Sequence, residues 1–86
     1  MAKQVARKGD PTSHGGTILT GSSTRKVNGQ DVARIGDQVS CPTHGNNVIV
    51  DGSSDTFTDG QGVAVVGSMT ACGATITTGS SDVFTN

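Results

Sequence analysis

The stretch ARIGDQVSCPTHG at residues 33–45 decides the fold, because its first nine residues have two counterparts in a chain of only 86. They are ARKGDPTSH at 6–14 and AVVGSMTAC at 64–72, and each is followed by a second shared phrase: HGGTILTGSS, HGNNVIVDGSS and CGATITTGSS. The chain is therefore three copies of one small unit. Ala6 to Ala33 spans 27 positions and Ala33 to Ala64 spans 31, while Gly21 to Gly52 spans 31 and Gly52 to Gly79 spans 27. The extra length lies in the middle copy, which inserts Pro42-Thr43-His44 after Cys41 and one further residue before Gly52.

Both histidines and both cysteines of the chain, His14, Cys41, His44 and Cys72, fall at this one repeat-equivalent turn. If three copies pack about a common axis, equivalent positions converge on it. Two imidazoles and two thiolates then arrive in the number that a closed tetrahedral zinc site requires. A Cys41–Cys72 disulfide, or buried thiols beside histidines in polar turns, is the competing reading of the same residues. A catalytic zinc normally keeps three protein ligands and an open water position, whereas four protein ligands leave no place for substrate.

Composition explains why a metal would matter. Hydrophobic residues make up 31% of the chain, Trp and Tyr are absent, and Phe57 and Phe84 are the only aromatic rings outside histidine. A core built mainly from Val and Ala is thin, and small domains of this kind rely on metals or cross-links. Thirteen glycines, abundant Ser and Thr, and the lack of any 3.6-residue period argue against helices. Short β-rich runs recur instead at 17–20, 47–50 and 74–78, and again at 55–58 and 82–85, with 24–27 as the basic counterpart in the first copy. A Gly-Ser-Ser triplet between the two kinds of run predicts a hairpin or tight turn. Asn28-Gly29 and Asp59-Gly60 predict turns of positive φ. The expected class is all-β. Gly and Ser abundance would also suit a disordered linker, but the threefold phasing of Val, Ile and Phe opposes it.

The Ala-Arg-x-Gly-Asp phrases at 6–10 and 33–37, the His-Gly pairs at 14–15 and 44–45, the CPTHG run and the Cys-Gly at 72–73 resemble the PAAR-repeat family over essentially the whole chain. That resemblance implies a small pointed β-cone of pseudo-threefold symmetry with one structural zinc near its point. It implies the role of tip protein of the type VI secretion spike, seated on the blunt end of a trimeric β-helical VgrG-like protein. The name-giving Pro-Ala-Ala-Arg tetrad is reduced to Gln4-Val5-Ala6-Arg7 and Asp31-Val32-Ala33-Arg34. In the third copy, Gly62-Val63-Ala64-Val65 lacks the arginine, and Ser68 stands where the others have aspartate. The family often uses three histidines and one cysteine, and exchange of thiolate for imidazole is compatible with zinc. The metal role accordingly falls on His14, Cys41, His44 and Cys72, with iron as the alternative ion.

The expected function is mechanical. A homotrimer ends in a threefold face, and one chain with three similar arms can meet all three subunits, giving one chain per trimer. Such a cap covers the exposed strand edges of the trimer and sharpens a spike driven through a target membrane. The reading is a single domain over 1–86, with repeats at about 6–32, 33–63 and 64–86, no appended effector domain, and a separate effector as an optional partner. The alternative is a free-standing zinc-stabilised β adaptor; an enzyme is not expected. Six basic and seven acidic residues leave a net charge of −1, which gives no reason for nucleic-acid or anionic-lipid binding. The pairs Arg7-Lys8 and Arg25-Lys26 read as a solvated face. Arg7 with Asp10 and Arg34 with Asp37 read as surface charge pairs bracketing a glycine turn, worth less than ~1 kcal/mol. Asp51, Asp55, Asp59 and Asp82 stand singly beside Gly and Ser, as turn caps do, without calcium-loop spacing. The N-terminus lacks the apolar stretch of a signal peptide. The expected location is the cytoplasm before firing, where reduced thiols suit metal ligation, and outside the cell after delivery by the type VI apparatus.

Overall fold

The structure is a computed structural model that describes residues 3–42, 45–53 and 56–85. Among the described residues it contains no helix, and its eight named strands are two residues long. They are β1 (Lys3–Gln4), β2 (Lys26–Val27), β3 (Gln30–Asp31), β4 (Gln38–Val39), β5 (Asn47–Val48), β6 (Phe57–Thr58), β7 (Gln61–Gly62) and β8 (Phe84–Thr85). All pairing is antiparallel, β1 with β8, β2 with β3, β4 with β5 and β6 with β7.

The Asn-Gly and Asp-Gly turns are as the sequence predicts. Asn28 and Asp59 both have φ of 55°, followed by Gly29 at 79° and Gly60 at 80°. Two successive left-handed residues match the twist of the strands they join, β2 to β3 and β6 to β7. The third pair of this kind is made by β1 and β8, far apart in sequence, with Lys3 opposite Thr85 and Gln4 opposite Phe84. These three strand pairs form the base of the molecule.

Of the two alternatives expected for the Gly-Ser-Ser triplets, the structure has the tight turn and not the hairpin. The triplets do not join paired strands; the run before each triplet pairs with a neighbouring repeat, and the run after it belongs to the base. The serine hydroxyl instead accepts backbone N–H groups ahead of it. Ser22 Oγ accepts from Thr24 and Arg25, Ser53 Oγ from Thr56, and Ser80 Oγ from Asp82 and Val83, at 3.0–3.2 Å. The glycine is required by a close approach: a Cβ on Gly21, Gly52 or Gly79 would lie 2.9, 2.6 or 2.7 Å from the carbonyl oxygen of Val32, Val63 or Val5. Those carbonyls accept the N–H of the serine that follows each glycine. The triplet thus welds one repeat to the start of another.

Closure about the axis is explicit in the backbone. Ala33 N–H donates to Ala6 C=O, Ala64 to Ala33, and Ala6 to Ala64, at 2.9–3.0 Å, so three residues from three repeats form a closed ring. A second ring lies nearer the point, where Ile18 bridges to Val39, Ile49 to Thr70 and Ile76 to Thr12. Side chains stack in matching layers. Val5, Val32 and Val63 lie on the base side, the three ring alanines come next with no solvent exposure, and Ile18, Ile49 and Ile76 follow. The result is an all-β pseudo-threefold cone whose core is one narrow column. Because the alanine layer has no space beside it, Ala33→Val forces larger atoms into a closed ring. Equilibrium urea denaturation is expected to show a loss of about 1–3 kcal/mol, and an unchanged midpoint would refute the tight ring.

The arginine–aspartate pairs form as the sequence predicts, but their aspartates are not at the surface. Asp10 and Asp37 are buried at 5% exposure each. Arg7 donates to Asp10 through its backbone N–H, Nε and Nη2, and Arg34 does the same to Asp37, all within 2.8–3.2 Å. The turn places the carboxylate over the backbone as well as beside the guanidinium, which buries the carboxylate and half-buries the guanidinium. The third repeat solves the same problem without charge: Ser68 Oγ accepts the Val65 N–H at 3.0 Å. Its departure from the motif is a neutral replacement of the same backbone contact.

Candidate metal centre

Each repeat sends one further hairpin toward the point. Pro11 bridges to Thr17, Val39 pairs with Asn47 and Met69 bridges to Thr75. At the far end of these hairpins the chain must reverse sharply, and Gly15, Gly45 and Gly73 do so with φ of 81°, 79° and 89°. In the first and third repeats the turn is closed by Gly15 N–H to Thr12 C=O and Gly73 N–H to Thr70 C=O, with His14 and Cys72 just before the glycine. In the middle repeat the insertion lengthens the turn, and Gly45 N–H donates to Cys41 C=O at 2.7 Å.

This geometry brings His14, Cys41 and Cys72 together. Their ligand atoms all lie within 4.8 Å of one another, and the three could hold a metal ion. His14 Nδ1 is 3.7 Å from Cys41 Sγ and 3.7 Å from Cys72 Sγ. Cys41 is buried, whereas Cys72 and His14 are half-buried, so the cluster sits at the surface end of the column. Neither cysteine is in a disulfide. His44, the fourth ligand expected from sequence, lies outside the described residues.

The surroundings favour thiolate. The Thr70 hydroxyl 3.2 Å from Cys72 Sγ, with the Ala74 backbone, Cys41 and His14 adding to it and burial opposing, lowers the Cys72 pKa to about 5. Cys72 is therefore ionised at neutral pH, the form that binds metal. Its backbone N–H donates to Asn47 Oδ1 of the middle repeat at 3.3 Å, which fixes one ligand turn against the next. Common repeat phase in the sequence singles out His14, Cys41 and Cys72, which the structure brings together, but it does not disclose these supports, since Thr70 and Asn47 carry no motif.

A family model for the PAAR motif matches residues 8–78, a span that includes every one of these turns. No curated protein matches the chain.

Proposed function

This chain belongs to the PAAR-motif family, a family of type VI secretion spike-tip proteins, and we propose that it is a rigid point capping one trimeric VgrG-like β-helix. The observation that carries this reading is the closed ring of Ala6, Ala33 and Ala64, by which a single chain presents three quasi-equivalent arms. A threefold trimer end is matched by one such chain. The base supports the same reading, for Phe57 and Phe84 occupy equivalent positions on two of its strand pairs and are 56% and 51% exposed. Exposed aromatic rings at equivalent positions of one face suit an interaction surface.

The opposite end is held by a structural zinc. Zinc–sulfur and zinc–nitrogen bonds of about 2.3 and 2.05 Å at a tetrahedral angle put N and S roughly 3.6 Å apart. The two 3.7 Å separations from His14 Nδ1 fit that shell. The fourth ligand expected from the sequence is His44, three positions beyond Cys41, and a set closed by it leaves no position for a substrate. The protein is accordingly a structural part rather than an enzyme, and a mixed thiolate–imidazole shell suits zinc. As a spike component it is carried out of the cell by the secretion apparatus and meets the target membrane in passing. Among the described residues no helix is long and apolar enough to cross a membrane.

The experiment is a binding comparison with a purified trimeric β-helical spike protein. The Phe57→Asp, Phe84→Asp double variant is expected to bind at least about thirtyfold more weakly, as loss of aromatic anchors does, with metal content and melting temperature unchanged. Binding equal to that of the unaltered chain would remove the base as the docking face.

A further inference from the structure

The base is not a flat face. On the axis beneath the alanine ring, the repeat-equivalent Val5, Val32 and Val63 floor an open cavity of about 180 Å³. Its walls include the repeat-equivalent residues Arg25, Thr56 and Val83, so a threefold socket has one cationic wall, one hydroxyl wall and one apolar wall. The Arg25 backbone is anchored on both sides: its N–H donates to Ser22 Oγ at 3.2 Å and its C=O accepts from Val32 at 3.0 Å. Its side chain is exposed and makes no ion pair with any described residue, unlike Arg7, Arg34 and Lys26, which pair with Asp10, with Asp37 and Asp59, and with Asp31.

We propose that this socket receives one apolar side chain with a carboxylate beside it, offered by a single subunit of the trimer and held through Arg25. The proposal rests on the trimer-cap reading and names the chemistry of its contact. Size suits one large guest, since a cavity of about 150 Å³ already holds a benzene-sized molecule. Charge selects its neighbour. A guanidinium beside an apolar floor, weakly hydrated and with no ion-pair partner among the described residues, is suited to a carboxylate. The departure of Arg25 from the Thr56 and Val83 pattern makes one subunit's contact different from the other two. A symmetric trimer is thereby engaged through an asymmetric plug.

The test has two arms. In the first, the full metal-bound chain is titrated with benzoate and with benzyl alcohol while valine methyl resonances are followed by NMR. Benzoate is expected to shift Val5, Val32 and Val63 with at least about tenfold preference over benzyl alcohol, and Arg25→Ala to abolish that preference. Equal response to both probes, no response at those methyls, or a preference that survives in Arg25→Ala overturns the proposal. The second arm uses a trimeric spike protein that binds the unaltered chain. Arg25→Glu, and separately Thr56→Trp, which fills the socket from its rim, are each expected to weaken binding at least about tenfold with metal content unchanged. Unchanged binding in both variants overturns the plug while the cap reading stands. If the unaltered chain binds no trimer, the cap reading falls and takes the plug with it.

Discussion

Cys72→Ala is expected to leave the chain without its metal and without its fold. Cys72 of the third repeat lies beside His14 of the first and Cys41 of the second, so losing a metal shared by the three opens the point where three hairpins meet. Structural zinc in small domains contributes roughly 10–16 kcal/mol of apparent binding free energy, comparable with or larger than the ~5–15 kcal/mol net stability of a typical domain. The column of Val, Ala and Ile inside this cone is too narrow to replace it. Elemental analysis of the purified protein is expected to give one zinc per chain, and an excess of chelator to abolish the cooperative unfolding transition. Acid does the same by another route. With the Cys72 pKa lowered to about 5, protons compete for the thiolate only in acid, so metal is expected to be retained near pH 7 and released as the pH falls below that value. A chain that stays folded and melts unchanged in chelator would refute a structural metal.

Asp37→Ala is expected to be the most damaging substitution outside the metal centre, costing about 3–5 kcal/mol. It leaves the Arg34 guanidinium half-enclosed without its main partner and the Arg34 backbone N–H without an acceptor. For a domain of this size each kcal/mol moves the melting temperature by roughly 4–8 °C, so the loss is readily seen. The third repeat indicates the remedy. Arg34→Val combined with Asp37→Ser reproduces the arrangement of Val65 and Ser68, removes both charges together and is expected to cost less than Asp37→Ala alone, although it also gives up the 2.9 Å contact of Arg34 with Asp59. Asp37→Ala within about 0.5 kcal/mol of the parent would return the pair to the class of surface ion pairs.

The contrast between these two sites shows what the sequence discloses. The threefold repeat, the all-β class and the two Asn/Asp-Gly turns are local patterns, and each is readable because its cause lies within a few residues. The meeting of His14, Cys41 and Cys72 is a long-range fact, yet it is legible because symmetry about an axis converts equal repeat phase into proximity. The burial of Asp10 and Asp37 is not legible, since Arg-x-Gly-Asp on a glycine turn looks the same on a surface as under a neighbouring repeat. The triplets Gly21-Ser22-Ser23, Gly52-Ser53-Ser54 and Gly79-Ser80-Ser81 are only half legible for a related reason. They carry turn residues, but it is the carbonyls of Val32, Val63 and Val5 that exclude a Cβ there. The pairing of Lys3–Gln4 with Phe84–Thr85 joins the two ends of the chain, and Arg25 reads as one more solvated cation until the socket it lines is seen.

The claim that organises these details is that one chain serves three subunits. Native mass spectrometry of the chain mixed in excess with a trimeric β-helical spike protein tests it most directly. The account predicts a complex of one zinc-bound chain with three spike subunits, saturated at that ratio. A complex carrying three chains per trimer would contradict it, because the ring of Ala6, Ala33 and Ala64 would then have no threefold partner to match.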